Sequence, residues 1–448
     1  MLRPRLGTIA LVFGLCLLAA SAAAQEPAAD SLPLSLRDAL DLGLQRNPQV
    51  LTAGYTRSAA GAGMWDAYGN FLPRVSLSGQ LQRLDQGAFV LFGREFESPQ
   101  SFNTGYQWDV THSLLDAGRD LFRLQNARAN VDQAIASYDL QTLSTATEIE
   151  TQYLEARRRE ALVDQARLEV ERRRRQLELA EGRYNVGSVT KSDVLLARLE
   201  LNRAEVTVLQ AVQQEEEARL ALRRLLGGAL PDAPLDLTTS FQVFQPVFDE
   251  EQLIDRALRD HPGLRESRAQ QEADAAQLWI ARSAYLPSLQ LQYSLQRTAT
   301  DTIDFVFSDF AEQSYVGVAL NWQLFGGFDR YNQTSQANAA LQSARAEETG
   351  RALQIEQDVR TAHTRLLTAY ATHQAARLSV ELAAEDLRLG EARYRTGTGS
   401  FVDLVDARTR AAQADTDLIT GTYEFYLALV QLELATGLNL LPREVDQP

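Results

Sequence analysis

One cysteine, four histidines and one lysine are all that 448 residues contain of those three side chains. The cysteine, Cys16, lies in an apolar stretch behind Leu15, where a lipid-attachment signal calls for a small residue. Without that stretch the chain has no thiol, which excludes a disulfide framework and thiol catalysis. His112, His261, His363 and His373 fall at no metal-ligand spacing. No glycine-rich phosphate loop follows a strand and no nucleophile motif occurs, so the sequence offers no reaction and implies no cofactor. Lys191 is the sole lysine, and the excess of arginine carries no functional reading.

Residues 1–24 read as a secretion leader. Arg3 and Arg5 form a positive start, Ile9 to Ala20 is apolar but too short for a spanning helix, and Ala22-Ala23-Ala24 precede Gln25 as a cleavage signal. Export is therefore expected. Losing the two arginines moves the formal net charge from −15 to −17. A chain this acidic lacks the basic face that a nucleic-acid partner requires.

What is present is written twice. Asn47-Pro48 matches His261-Pro262, Met64-Trp65 matches Leu278-Trp279, Leu72-Pro73 matches Leu286-Pro287, and Leu81-Gln82-Arg83 matches Leu295-Gln296-Arg297, each pair 214 positions apart. Farther on the offset is 210: Arg183-Tyr184 with Arg393-Tyr394, Gly187 with Gly397, Asp193 with Asp403, Gly227 with Gly437. A loop four residues shorter, between about 298 and 315, accounts for the change. The expected organisation is a first repeat over 25–227, a connector over 228–249, a second repeat over 250–437 and a tail over 438–448. Pro231, Pro234 and Pro246 mark the connector, disfavouring helix and central strand there.

Each repeat reads as helix, strand, loop, strand, long helix, turn, long helix. Leu289, Leu291, Tyr293 and Leu295 alternate with Gln290, Gln292, Ser294 and Gln296; Val75, Leu77 and Leu81 alternate with Ser76, Ser78, Gln80 and Gln82. The partner strands hold Tyr106, Trp108 and Val110, and Val316, Val318, Leu320 and Trp322. Such alternation suits a membrane barrel strand, and equally a half-buried strand of a soluble sheet. The helices favour the barrel. No proline interrupts about Asp116 to Glu181 or Asp329 to Thr396, runs of roughly 90–100 Å as helix. Ala371, Ala375, Leu378, Leu382 and Leu389 form one narrow seam, and Leu418, Thr422, Phe425, Leu429, Leu432 and Thr436 another. The charged runs Arg157–Arg159 and Arg172–Arg175 read as solvated faces. Phe71, Trp108, Tyr315, Trp322 and Phe325 suit membrane-water girdles. Four strands cannot close a barrel, and an open edge cannot sit in lipid, so chains must pool their strands. The sequence leaves open whether two chains give eight or three give twelve.

Duplicated long hairpins, the repeated turn running from Gly182 to Arg198 and from Ala392 to Arg408, the Asn-Pro and His-Pro openings and the strand ending Leu115-Asp116-Ala117-Gly118 together resemble the TolC-like outer membrane factors. The resemblance covers nearly the whole chain after the leader. It implies a mainly α protomer that joins two others in a homotrimer, pooling four strands each into a twelve-stranded outer-membrane β-barrel above a periplasmic helical tunnel. Such channels perform no reaction. They pass cargo from an inner-membrane pump, through a periplasmic membrane-fusion adaptor, across the outer-membrane lipid of a Gram-negative type envelope. The competing expectation is a soluble periplasmic coiled-coil scaffold or adaptor, which leaves the alternating strands unexplained.

The resemblance also implies roles at the two tight turns. Val186, Gly187 and Ser188, with Thr396, Gly397 and Thr398, become candidate adaptor contacts, although glycine's access to positive φ explains Gly187 and Gly397 on its own. Asp403 and Asp406, three apart on one helix face, become gate and selectivity residues at the closed mouth. Ser400 with Asp403 and Thr190 with Asp193 also read as capping boxes, whereas Asp406 lies beyond the first turn. Tyr394 and Asp193 match a pair that links neighbouring hairpins in the family. The family's arginine partner falls at Gly399, with Lys191 as a candidate replacement.

Overall fold

The computed structural model describes residues 32–84, 89–96, 101–227, 234–300 and 310–440. The leader, Cys16, Pro231 and most of the expected shorter loop near 298–315 lie outside them. β1 (Leu32–Leu34) leads into α1 (Leu36–Arg46) and α2 (Pro48–Gly69), then β2 (Arg74–Leu84), a small hairpin of β3 (Phe89–Leu91) and β4 (Arg94–Phe96), and β5 (Ser101–Leu115). The first long hairpin follows, α3 (Arg119–Asn185) and α4 (Lys191–Leu225). After β6 (Leu235–Leu237) the order recurs as α5 (Glu250–Asp260), α6 (Pro262–Ser283), β7 (Ser288–Thr300), β8 (Ala311–Asn321), α7 (Asp329–Thr396) and α8 (Phe401–Thr436).

The helix expected at the head of each repeat is in fact two. A residue before proline is pushed out of the α region, and Asn47 and His261 take φ/ψ of −62/126 and −60/126. Each closes one helix with its backbone N–H and caps the next with its side chain: Asn47 accepts from the Gln49 N–H at 2.8 Å, His261 from the Gly263 N–H at 3.1 Å. The opposite end of each side chain reaches the end of its repeat's last helix. Asn47 donates to the Leu225 carbonyl at 3.3 Å, and His261 Nε2 donates to the Leu434 carbonyl at 3.2 Å. One geometry thus pins the start of both repeats to their finish.

β2, β5, β7 and β8 form one antiparallel sheet in that order, with β2 and β8 as open edges. A bulge near Ser113 to Leu115 ends the β5 ladder, and positive φ at Ala117 and Gly118 turns the chain into α3. The parallel β1–β6 pair and the β3–β4 hairpin carry no signal that the alternation pattern detects. β6 lies inside the connector, where the prolines disfavour helix and central strand, with Leu235 and Leu237 buried beside Leu34. A two-stranded sheet has no central strand, so nearby prolines do not forbid it.

α3 and α7 have 67 and 68 residues, about 100 Å each at 1.5 Å per residue. The main core lies around α8, where Phe425, Leu429, Val430 and Leu432 pack against Val359 and Leu366 of α7 and Leu154 of α3. This is the second expected seam. The first finds no partner among the described residues: Leu378, Leu382 and Leu389 stand exposed on α7. The arginine runs divide: Arg174 and Arg175 are exposed, as a solvated face requires, and the others depart from that reading. Arg173 is buried and pairs with Glu169 at 2.5 Å, while Arg158 and Arg159 share Glu155, half-buried. They lie where α3 meets other helices, so their stems cover apolar surface while their heads are paired.

Candidate functional site

The sheet's register sorts its side chains by chemistry. Directly paired residues share a face, so Leu77, Trp108, Leu295 and Ser314 lie together, as do Val75, Val110, Tyr293 and Val316. The opposite face carries Ser76, Asp109, Ser294 and Tyr315, then Ser78, Gln107, Gln296 and Gln313. Among the described residues the apolar face is left open: Leu77 is 59% exposed and Val316 70%. Burying such a face stabilises by about 25 cal/mol per Å², so its exposure marks a surface made for another apolar phase. Of the expected girdle aromatics, Phe71, Trp322 and Phe325 flank one end of the sheet, exposed. Trp108 lies instead at mid-strand on the apolar face, and Tyr315 lies on the polar one. No helix among the described residues is long and apolar enough to cross a membrane.

The hairpin turns lie at the far end of the long helices. Gly187 and Gly397 have φ of 75° and 77°, and nothing lies near the Cβ that either would gain, so backbone conformation alone selects glycine. Each turn is closed on the residue four before its glycine: Ser188 N–H donates to the Arg183 carbonyl at 2.9 Å, Thr398 N–H to the Arg393 carbonyl at 3.0 Å. Val186 is 79% exposed.

Both capping boxes form. The Thr190 N–H donates to Asp193 at 2.9 Å, and the Asp193 N–H to the Thr190 hydroxyl at 3.3 Å. The Ser400 N–H donates to Asp403 at 3.0 Å, and the Asp403 N–H to the Ser400 hydroxyl at 3.1 Å. The Ser400 hydroxyl and then its backbone N–H, aided by Arg393, hold the Asp403 carboxyl below its ordinary range. Asp406 is exposed one turn on, outside the cap. Tyr394 and Asp193 do not hydrogen-bond to each other among the described residues, and the Asp193 carboxylate is engaged by the cap. Tyr394 is buried, packs edge-on against Phe401 with centroids 5.7 Å apart, and has the Arg183 guanidinium 4.6 Å from its ring. Its hydroxyl is buried without a hydrogen-bond partner among the described residues, while Tyr184, its counterpart in the first repeat, is exposed. Lys191 is exposed at the first residue of α4.

A second group of titratable residues escaped the sequence reading. Glu150 of α3 and Glu433 of α8, both buried, hydrogen-bond to each other, and Glu433 also accepts the Leu440 N–H. Burial first, then the charge of Glu433, pushes the Glu150 carboxyl up to about 8. One residue from Glu433, His261 hydrogen-bonds the Leu434 carbonyl, and burial holds its imidazole below the ordinary range. The available signal was a carboxylate, Glu433, beside Leu432 in an otherwise apolar seam. No cluster able to hold a metal ion occurs among the described residues.

The family described as outer membrane efflux protein matches residues 39–228 and 253–438. Protein CyaE of Bordetella pertussis is 27% identical over 389 residues, 86% of this chain and 80% of that one. Outer membrane protein TolC of Vibrio cholerae is 23% identical over 401 residues, 88% of each chain. The crystal structure of outer membrane protein VceC from Vibrio cholerae superposes with a TM-score of 0.75 at 19% identity, over 90% of this chain and 96% of that one.

Proposed function

The chain belongs to the outer membrane efflux protein family, an outer-membrane exit duct of tripartite efflux or secretion systems, and on that footing we propose that it works as a homotrimer. The observation carrying this is the two-faced sheet with both edges open. An unpaired edge is untenable in hydrocarbon, and twelve strands from three chains close it. The apolar face then meets lipid and the amide-rich face lines a wet lumen. The exposed seam of α7 and the exposed Leu195, Leu199, Val206 and Leu209 of α4 meet neighbouring chains to form a periplasmic tunnel. The family is one of transport proteins, and the duct is passive.

At the tunnel mouth we assign Asp406 to cation selection and Asp403 chiefly to capping, with Asp193 as the matching cap in the first repeat. Asp406 lies outside the cap, and the charge one turn on, Arg410, is already paired with Asp386 at 2.7 Å. Tyr394 holds the two hairpin tips together through Arg183 and Phe401, and its buried hydroxyl awaits a group from a neighbouring chain. The turns holding Val186, Gly187 and Ser188, and Thr396, Gly397 and Thr398, are the proposed adaptor contacts beneath an inner-membrane pump.

Arginine substitution tests the assignment of faces. Leu295→Arg faces lipid and is expected to cost about 2–4 kcal/mol and reduce insertion, while Gln296→Arg faces water and is tolerated. Equal insertion of both variants in an outer-membrane fraction assay contradicts the barrel and favours a soluble scaffold.

A further inference from the structure

We propose that Asp109 is a second charge-selecting residue of the duct, placed half-way along the barrel and separate from the mouth. The inference rests on the reading of the amide-rich face as lumen. Among the described residues of β2, β5, β7 and β8, that face presents serine, threonine, asparagine and glutamine over most of its length. Its charged members are two. Arg74 lies at the start of β2, where its guanidinium donates to Asn70 at 2.8 Å. Asp109 lies in mid-strand, paired across to Ser76 on one side and Ser294 on the other.

The carboxylate is held by a neutral partner. Gln107 Nε2 donates to Asp109 Oδ1 at 2.8 Å and to the Ser294 hydroxyl at 3.2 Å, so one amide fixes the carboxylate and bridges β5 to β7. A neutral donor orients the group and leaves its charge uncompensated, unlike Arg297 near the strand end, whose guanidinium is matched by Glu312. The second repeat does not repeat the feature: the position 210 residues on is Ala319. Three chains therefore contribute three carboxylates at one height, a ring of the kind that draws cations into a pore. The class of solute favoured is a small cation or the cationic end of a larger molecule. In a wide, wet pore the reach of such a ring follows the Debye length, about 30 Å at 0.01 M salt and about 3 Å at 1 M. Its influence should be strong in dilute salt and vanish in concentrated salt, whereas a narrow mouth keeps its preference longer.

The test uses full-length protein in planar bilayers under a potassium chloride gradient, in a background of Asp403→Asn with Asp406→Asn. That background is expected to keep a cation preference in dilute salt, lost in 1 M salt. Adding Asp109→Asn should bring the dilute-salt reversal potential to near zero, and Asp109→Glu should leave it in place. A background without cation preference in dilute salt, or a reversal potential indifferent to Asp109→Asn, overturns the proposal. A wild-type protein that inserts yet forms no pore overturns the duct itself and this residue's role with it.

Discussion

Position for position, α8 carries Phe425, Leu429 and Leu432 where α4 carries Glu215, Arg219 and Leu222. Both helices close a hairpin and end at a positive-φ glycine, Gly437 and Gly227. Their surroundings differ. α8 lies against α7, α3 and α5, and the connector's Phe244 meets Phe425 edge-on with centroids 5.3 Å apart. α4 packs against α3 and exposes Leu195, Leu199, Val206, Leu209 and Leu220. Duplication has preserved the backbone path while the side chains diverged with their neighbours. One copy found its apolar partner within the chain; the other presents its stripe outward, as the proposed trimer requires.

Truncating the two equivalent positions should separate α8 from α4 most clearly. Phe425→Ala empties a fully buried site and is expected to cost about 3–5 kcal/mol. Glu215→Ala removes a half-buried pair with Arg219 at 2.8 Å, leaves Arg219 its second partner Glu160, and is expected to cost about 1–2 kcal/mol. Similar losses in denaturant unfolding of the purified protein would mean that α4 is as deeply embedded as α8.

The terminal glycines sharpen it next. A Cβ on Gly227 would come within 2.9 Å of Arg46 Cβ and 3.0 Å of its carbonyl oxygen, whereas one on Gly437 meets nothing nearer than 3.4 Å. Gly437→Ala therefore carries the left-handed backbone cost alone, about 1–2 kcal/mol. Gly227→Ala adds a clash with backbone and should lower the melting midpoint further.

Smaller, and specific to pH, is the contrast between the Asn47 and His261 joints. Asn47 does not titrate. His261 faces Arg351 and Asp358 of α7 and Arg265 of its own helix, and Arg265 pairs with Asp139 of α3 at 2.8 Å. Its folded-state pKa is depressed, so below about 6.5 the unfolded chain takes up the proton first and stability falls as pH falls. Glu150, which faces Glu433, has the opposite sign. Its pKa is raised to about 8, so its contribution is full in acid and is lost as pH rises through that value. Melting midpoints should therefore fall less for His261→Asn than for wild type between pH 6.5 and 5. They should also fall less for Glu150→Gln than for wild type between pH 6 and 9. Parallel curves for wild type and variant would show that the second joint does not sense protons.

The sequence made the long helices, sheet faces, turns and duplication legible because each is a periodic or repeated pattern. Leu289 to Gln296 announces a two-faced strand, and the proline-free runs announce α3 and α7. Assembly within the chain was less legible. Nothing local says that the Leu378–Leu389 seam faces outward while Phe425–Leu432 faces inward, since both share one spacing. Three residues of β6 are too few to alternate. Glu150 and Glu433 are 283 positions apart, and their pairing arises only from packing. At the mouth, the caps of Asp193 and Asp403 were readable because capping is a local motif.

In the proposed trimer, two further copies complete the outward stripe and the open sheet edges. Light scattering coupled to size exclusion, with the detergent mass subtracted, measures this directly. The predicted result is a single species of three chains with its strands formed. A monodisperse single chain that retains its strands would contradict it.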